Sequence, residues 1–200
     1  MAIKFQYNKT SMQRLEKELK IRVSALPTLK NKEAALRVEV KRAKEDAERL
    51  DKELKDKTQE YQYMNKLWDE FDPDLIRVKN VDLGTKKIAG VETPVFKDAT
   101  FKIKDFSIFN RPHWFLDGLD IVKQLTKLAL EREIYFRKMN MLDYARKKTT
   151  QKVNLYEKVQ IPEYQDAIRK IKRFLEDEEN LSKAAQKIVK NRQQKTEETQ

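Results

Sequence analysis

The stretch that decides the fold runs from Leu29 to Leu54 and reads LKNKEAALRVEVKRAKEDAERLDKEL. Apolar residues recur in it at alternating steps of three and four, and the residues between them are mostly charged. The same spacing extends outward from Met12 to Trp68, where fourteen of seventeen positions are apolar. Such a repeat is typical of a long helix that buries one stripe against a partner helix.

A second arm with similar spacing begins at Asn110-Arg111-Pro112 and resumes after Pro162. The sequence therefore predicts a mainly α fold, a long antiparallel two-helix coiled coil with a small β-hairpin between the arms. Matching the arms end to end predicts that paired residue numbers add to roughly 200, with Leu15 near Ala185. The predicted coiled-coil core consists of Leu15, Leu19, Leu26, Leu29, Leu36, Val40, Leu50, Leu54, Val153, Ile168, Ile171 and Leu175.

The connector is predicted to hold the hairpin. Pro73 ends the first arm, and short apolar clusters then replace the helical spacing. We predict strands over Val78–Ala89 and Pro94–Lys104, a turn near Gly90–Thr93, and packing of the hairpin on helix. The predicted segments are an N-terminal arm over 1–72, a connector over 73–111, a C-terminal arm over 112–190 and a frayed polar tail over 191–200.

Two prolines lie inside the arms, at Pro27 and Pro162. Each either breaks its helix into two or kinks a helix that continues, and apolar spacing persists on both sides. A pair of kinks would give a bent rod.

The composition of the chain excludes several classes of function. The 200 residues carry a formal net charge of +11 and contain no cysteine, three glycines and one histidine. A disulfide scaffold, a thiol enzyme and a cysteine zinc site are excluded, and we expect no cofactor, no metal and no catalytic residues. His113 with Asp117 and Asp120 could serve as a metal ligand or base, but acidic residues near a helix start are ordinary. No apolar run is long enough for a transmembrane helix, and residues 1–10 lack the apolar core of a signal peptide, so an intracellular, soluble protein is expected.

Three blocks of sequence carry a resemblance. The second arm contains Thr149-Thr150-Gln151-Lys152-Val153-Asn154 and then Ile161-Pro162; the first contains Leu29-Lys30-Asn31-Lys32; the connector contains Gly90-Val91 and Pro94. Taken in their order along the chain, these blocks resemble the D subunit of the V-type and A-type rotary ATPases, and the resemblance covers nearly the whole chain.

The resemblance implies a non-catalytic central rotor shaft on the cytoplasmic face of the membrane. Such a shaft couples ATP hydrolysis or synthesis in a catalytic hexamer to rotation of a membrane ring that transports H⁺ or Na⁺. Its implied partners are the catalytic and nucleotide-binding subunits of the hexamer, the small F subunit and the funnel-shaped d or C subunit above the membrane rotor. The bearing residues expected against the hexamer are Arg14, Lys17, Lys20, Arg22, Lys183, Lys187 and Lys190. The residues expected on the side of the F subunit and the lower rotor are Tyr61, Trp68, Tyr135, Ile88, Val91, Phe96 and Phe101.

Other interpretations of the same residues stay open. Trp68 and Tyr135 could simply pack the junction between hairpin and arms. Heptads alone also fit a coiled-coil scaffold or tether without a motor role, and the basic charge fits a coiled coil that binds nucleic acid, although acidic residues interleave with the basic ones. A rotor shaft, by contrast, is expected to bind no nucleic acid directly.

Overall fold

The computed structural model describes residues 3–106 and 112–197, with side chains described as far as residue 194. It is mainly helical, with two long helical arms joined by a two-stranded antiparallel hairpin, which confirms the predicted fold class. Helix α1 spans Lys9–Glu60, a 3-10 turn spans Tyr61–Met64, and α2 spans Asn65–Trp68. After a 3-10 turn at Pro73–Leu75 come strands β1 (Ile76–Ile88) and β2 (Val91–Ile103). Helix α3 spans Trp114–Asn154, a π-helical turn spans Leu155–Gln160, and α4 spans Ile161–Glu197.

Helix α1 begins where the sequence supplies a cap. The Asn8 side chain accepts a 2.7 Å hydrogen bond from the backbone N–H of Ser11, which satisfies one of the donors that a helix start leaves free. Pro27 lies inside α1 and does not divide it into two helices. The arm is interrupted later, because the turn at Tyr61–Met64 is 3-10 rather than α.

The second arm consists of α3, the π-helical turn and α4. Asn110 and Arg111 lie outside the described residues, and α3 begins at Trp114, with the Phe115 N–H donating to the Pro112 carbonyl at 3.1 Å. At the other end, α4 continues to Glu197 and so extends into the segment predicted as a frayed tail. The predicted four-segment division stays a prediction.

The chain divides into two compact units. The terminal unit comprises the described parts of Met1–Asn31 and Thr149–Gln200, and the middle unit the described parts of Lys32–Lys148. In the terminal unit the core is built from Leu15, Ala167 and Ile171. The middle unit has one cluster around Leu36, Ala43 and Leu142 and another around Leu75, Phe115 and Leu119. Each unit is stabilised by apolar side chains that it buries itself.

The register in the terminal unit differs from the predicted one. Leu15 packs with Ala167 and Ile171, and not with Ala185. The Arg22 Nε donates to Gln160 Oε1 at 2.8 Å, so these paired numbers add to 182. The predicted value near 200 is therefore wrong by about eighteen residues, or roughly five helical turns.

The middle unit shows why the prediction failed. The rings of Trp68 and Trp114 lie 5.6 Å apart beside the connector, and their numbers also add to 182. Arg132 pairs with Asp51 at 2.6 Å, and these two residue numbers add to 183. The register of an antiparallel helix pair follows from where the connector joins the arms, whereas the prediction aligned arms of unequal length by their outer ends.

The hairpin has a tighter turn than predicted. Ile88 pairs with Val91, so the turn consists of Ala89 and Gly90 alone, and not of Gly90–Thr93. Both turn residues have positive φ, 47° and 80°, as the two central positions of a type I′ turn require. This turn favours the right-handed twist of the strands. Pro94 lies within β2, opposite Thr85. A proline is tolerated there because each strand of a two-stranded sheet has a free edge.

Candidate interaction surfaces

An aromatic cluster closes the connector end of the middle unit. Trp68 packs edge-on against Phe71 and Trp114, with ring centres 5.5 and 5.6 Å away, and Phe71 lies 5.3 Å from Phe115. Gly118 permits this packing, because a Cβ there would lie 2.9 Å from a carbon of the Trp114 ring. The cluster fixes the point from which both arms leave the connector.

The hairpin packs along the helices of the middle unit. Its tip residues Ile88, Ala89 and Val91 contact the cluster that contains Leu36 and Leu142. Further along, Lys127 Nζ donates to Asp98 Oδ1 at 2.6 Å, and this hydrogen bond holds the pKa of Asp98 below its usual value. The expectation that the hairpin packs on helix is confirmed. Its turn is consequently not a free loop.

Two polar layers interrupt the apolar contacts between helices. In the middle unit Asp51 pairs with Lys55 and Arg132, and the Lys55 hydrogen bond is the main cause of a lowered Asp51 pKa. In the terminal unit Arg22 is enclosed, with its side chain only 19% exposed. Charged groups at such positions cost desolvation free energy but favour one register over others.

The Arg22 layer is built from both helices of the terminal unit. Its guanidinium bonds to the Glu18 side chain and carbonyl, and the Glu18 hydrogen bond raises the Arg22 pKa. The same group lies 4.5 Å from the Tyr164 ring centre and 6.0 Å from that of Tyr156. With the Gln160 bond, the Arg22 side chain contacts polar or aromatic groups on both arms of the helix pair.

Helix α4 extends beyond its contacts with α1. Met12 and Leu175 both pack on the terminal core, but the described residues from Glu176 onward are exposed. Leu181 is 72% exposed, and Ile188 and Val189 are each more than half exposed. Around them stand lysines at 183, 187 and 190, of which Lys183 pairs with Glu179 at 2.7 Å. This segment, 176–194, is called the α4 tip below.

The comparisons with known proteins decide the family. The family model for the D subunit of ATP synthase matches residues 11–191. The chain is 31% identical to the V-type ATP synthase D subunit of Chlamydia pneumoniae, over 88% of this chain and 87% of that one. It is 27% identical to the corresponding D subunit of Borreliella burgdorferi, over 94% of each chain, and 28% identical to that of Chlamydia felis, over 94% and 93%. The chain belongs to the ATP synthase D-subunit family.

In this D-subunit family member, five of the twelve predicted core residues are buried: Leu15, Leu36, Leu50, Val153 and Ile171. The other seven are half-buried, as a two-helix pair leaves the flanks of its seam open. They are Leu19, Leu26, Leu29, Val40, Leu54, Ile168 and Leu175.

The predicted bearing residues divide into two kinds. Arg14, Lys17 and Lys20 are exposed on α1, and the three lysines of the α4 tip are exposed as well. Arg22 is enclosed in its polar layer and is the least accessible of the set.

The residues predicted for the lower-rotor side are all half-buried. Trp68 belongs to the aromatic cluster, and Ile88 and Val91 pack on the helices. Burial raises the pKa of Tyr135, whose ring lies 5.0 Å from Lys138 Nζ. Tyr61, Phe96 and Phe101 are also half-buried. Each of these side chains therefore has a packing role inside the middle unit, whatever else it contacts.

Sequence reasoning missed the segment before α1. Ile3 and Phe5 pack on the terminal core, and Tyr7 lies 5.5 Å from Phe5 and 5.0 Å from Phe174 on α4. The signal was present, because apolar residues alternate with polar ones over Ile3-Lys4-Phe5-Gln6-Tyr7, the pattern of an extended segment with one buried face.

His113 and the acidic run over Asp69–Asp74 are two further polar features near the connector. His113 is exposed, and within residues 3–106 and 112–197 no three acidic or histidine side chains are grouped to hold a metal ion. In the acidic run after α2, Asp72 caps a 3-10 turn by accepting the Asp74 N–H at 2.9 Å. Among the helices in the described part of the chain, none combines the length and apolar character needed to cross a membrane.

Proposed function

We propose that this chain is the non-catalytic central shaft of a V/A-type ATPase, rotating inside a hexamer of catalytic and nucleotide-binding subunits. Family membership supports the complex, since the relatives are named as subunits of V-type ATP synthases. The shaft would couple ATP hydrolysis or synthesis to a membrane ring that transports H⁺ or Na⁺, from the cytoplasmic face.

The observation that carries the proposal is the α4 tip. A helix that leaves Leu181, Ile188 and Val189 exposed is stabilised in water only weakly by its own contacts. In the assembled complex, the surrounding subunits would cover these side chains. The tip would then be the part of the shaft that enters the hexamer.

The bearing would consist of weak, exchangeable contacts. Exposed charge pairs contribute only about 0–1 kcal/mol each, so a shaft can leave one set of partners and meet the next at each rotational step. Arg14, Lys17 and Lys20 on α1 and Lys183, Lys187 and Lys190 on the tip are exposed enough for this role. Pro27 and Pro162 would add bends, so that three hexamer interfaces meet different faces of the shaft.

The middle unit would face the small F subunit and the funnel-shaped d or C subunit. It has apolar side chains that water contacts, among them Val78 and Leu83 on β1, and Tyr63, which is 80% exposed. Exposed aromatic and aliphatic groups of this kind are favoured in protein interfaces. Val78 pairs with Phe101 and Leu83 with Phe96 across the hairpin, and both phenylalanines are among the residues predicted for this side.

The experiment uses the absence of cysteine from the chain. A single Lys187→Cys substitution in the α4 tip is cross-linked by oxidation to a cysteine placed in the catalytic subunit, within the purified complex. The matched control is Lys41→Cys, an exposed lysine in the middle of α1. For a rotating shaft, oxidation stops ATP turnover in the Lys187→Cys complex, and reduction restores it.

A cross-link that forms in high yield while ATP turnover continues would contradict rotation of the shaft against the hexamer. A complementary variant ends the chain after Leu175, which leaves the core around Leu15 and Ile171 intact. Ions transported per ATP should fall in this truncated complex, and an unchanged ratio would contradict a coupling role for the tip.

A further inference from the structure

The second arm contains one residue more than its helical repeat allows. The repeat positions of the second arm run through Thr149, Val153 and Tyr156, and the equivalent of Tyr156 comes eight residues later, at Tyr164. An unbroken heptad would place it seven residues later. In an uninterrupted α-helix each residue turns the chain by about 100°, so the extra one would rotate all of α4 away from α1.

The structure shows where the extra residue is absorbed. Leu155–Gln160 forms a π-helical turn, which bonds i to i+5 and so holds one residue more than an α-turn. After it, Tyr164, Ile168 and Leu175 return to the core around Leu15. Before it, Val153 is buried. The π-turn thus keeps the apolar stripe of the second arm on α1 on both sides of the insertion.

Pro162 favours the wide turn at this position. It has no N–H to donate to the carbonyl of Lys158, and in an α-helix its ring would clash with that carbonyl. A turn that already lacks i to i+4 bonds avoids both penalties. The proline and the extra residue therefore lie within one turn of each other and support the same local conformation.

Arg22 contacts the π-turn from the opposite helix. Its Nε bonds to Gln160, the last residue of the turn, at 2.8 Å. Its guanidinium also lies 6.0 Å from the ring centre of Tyr156, inside the turn, and 4.5 Å from that of Tyr164, one turn after it. These are the two tyrosines that the repeat makes equivalent. Lys30 adds a second cross-helix contact, 2.7 Å from Glu157.

We infer that Leu155–Gln160 is a phase-correcting joint in the second arm and that Arg22 is the clamp that holds it. The joint is the place where the arm yields first to twisting or bending, because a π-turn is a rare conformation and Pro162 donates no backbone hydrogen bond next to it. Arg22 is a positioning residue, and its role is to keep the extra residue within this turn. Arg22, Lys30 and the π-turn all belong to the terminal unit.

Single-residue deletions in the full chain test the joint. Removing Val159 in a Pro162→Ala background restores the seven-residue spacing, so α3 and α4 can join as one α-helix. We expect a thermal midpoint within about 3 °C of Pro162→Ala alone. Removing the exposed Lys20 from α1, where no π-turn exists, should lower the midpoint by more than about 10 °C, because Met12 and Leu15 rotate off the seam. An equal fall in the thermal midpoint for the two deletions would overturn the proposal that the π-turn absorbs an extra residue.

Hydrogen exchange measured by mass spectrometry tests the clamp without requiring a deletion to fold. In Arg22→Met, amide exchange over residues 155–163 should be at least about tenfold faster, with little change elsewhere in α4. The matched control is Arg146→Met, which removes an arginine that pairs with Asp143 within regular α3. It should leave exchange over 155–163 unchanged. Acceleration spread evenly over the terminal unit, or equal effects of both variants, would overturn the role of Arg22.

Discussion

Leu142→Ala removes one of the most completely buried side chains of the middle unit. Leu142 has no exposed surface, and it forms a cluster with Leu36 and Ala43 of α1 against which the hairpin tip packs. The cluster joins three structural elements, so we expect that movement of one of them alone would not fill the cavity left by the lost side chain. Poor relaxation of this kind places the cost toward the upper part of the usual range for buried leucines, roughly 3–5 kcal/mol.

The assay is thermal unfolding followed by circular dichroism at 222 nm. For a chain of this size 1 kcal/mol corresponds to about 2–4 °C, so Leu142→Ala should lower the midpoint by roughly 6–20 °C. Met141→Ala is the matched control, because Met141 precedes Leu142 in the same helix and is 42% exposed. Its loss should stay within about 3 °C.

Similar losses for the two variants would refute the reasoning, because they would mean that Leu142 is not at a helix contact. A large loss for Met141→Ala alone would mean that α3 is rotated by about one residue from its position in the structure. The ratio of the two losses matters more than either value, since both substitutions lie in the same helix and differ little in their effect on helix propensity.

Local geometry supports three more predictions. Gly118→Ala should lower the thermal midpoint and weaken the near-ultraviolet circular dichroism of tryptophan, since the added Cβ would lie 2.9 Å from the Trp114 ring; an unchanged spectrum would contradict the close approach. Gly90→Ala should lower the free energy of unfolding by about 1 kcal/mol, because a φ of 80° is unfavourable for a residue with a side chain, whereas Gly90→Asn should lower it less. Chemical denaturation measures both values, and equal losses would count against a type I′ turn. Lys127 lowers the pKa of Asp98 in the folded chain, so the small stabilisation from this pair is present at neutral pH and is lost as pH falls below about 4. Asp98→Asn should therefore make the free energy of unfolding less dependent on pH in the acid range. An identical pH profile for the variant would exclude the Asp98–Lys127 pair as a source of that dependence.

The apolar repeat made the helical arms predictable. Side chains on a helix fall on one face only when their spacing follows the helical period, so the spacing around Leu36 and Leu50 is sufficient evidence for a buried stripe. The hairpin was predictable for a similar local reason, because Gly90 can adopt positive φ between two segments with strand-like residues. The exact turn was not, since Ala89 gives no comparable signal.

Other features depended on contacts between distant residues. An arginine in a heptad looks the same in sequence whether it faces solvent or a partner helix, so the contacts of Arg22 with Tyr156 and Tyr164 could not be predicted. The spacing of eight between those tyrosines was visible in the sequence. Its meaning became clear only when the π-turn showed how the extra residue is absorbed.

By itself, the sequence determined that this chain forms two long apolar-striped arms around a hairpin, because helical and strand periods are local properties of the chain. The tertiary structure decided which residues of the arms meet. A seam of leucines, valines and alanines makes many registers nearly equal in energy, and the choice among them falls to contacts at its ends and interruptions. Here those contacts are the packing of Trp68 on Trp114 and the polar layer around Arg22.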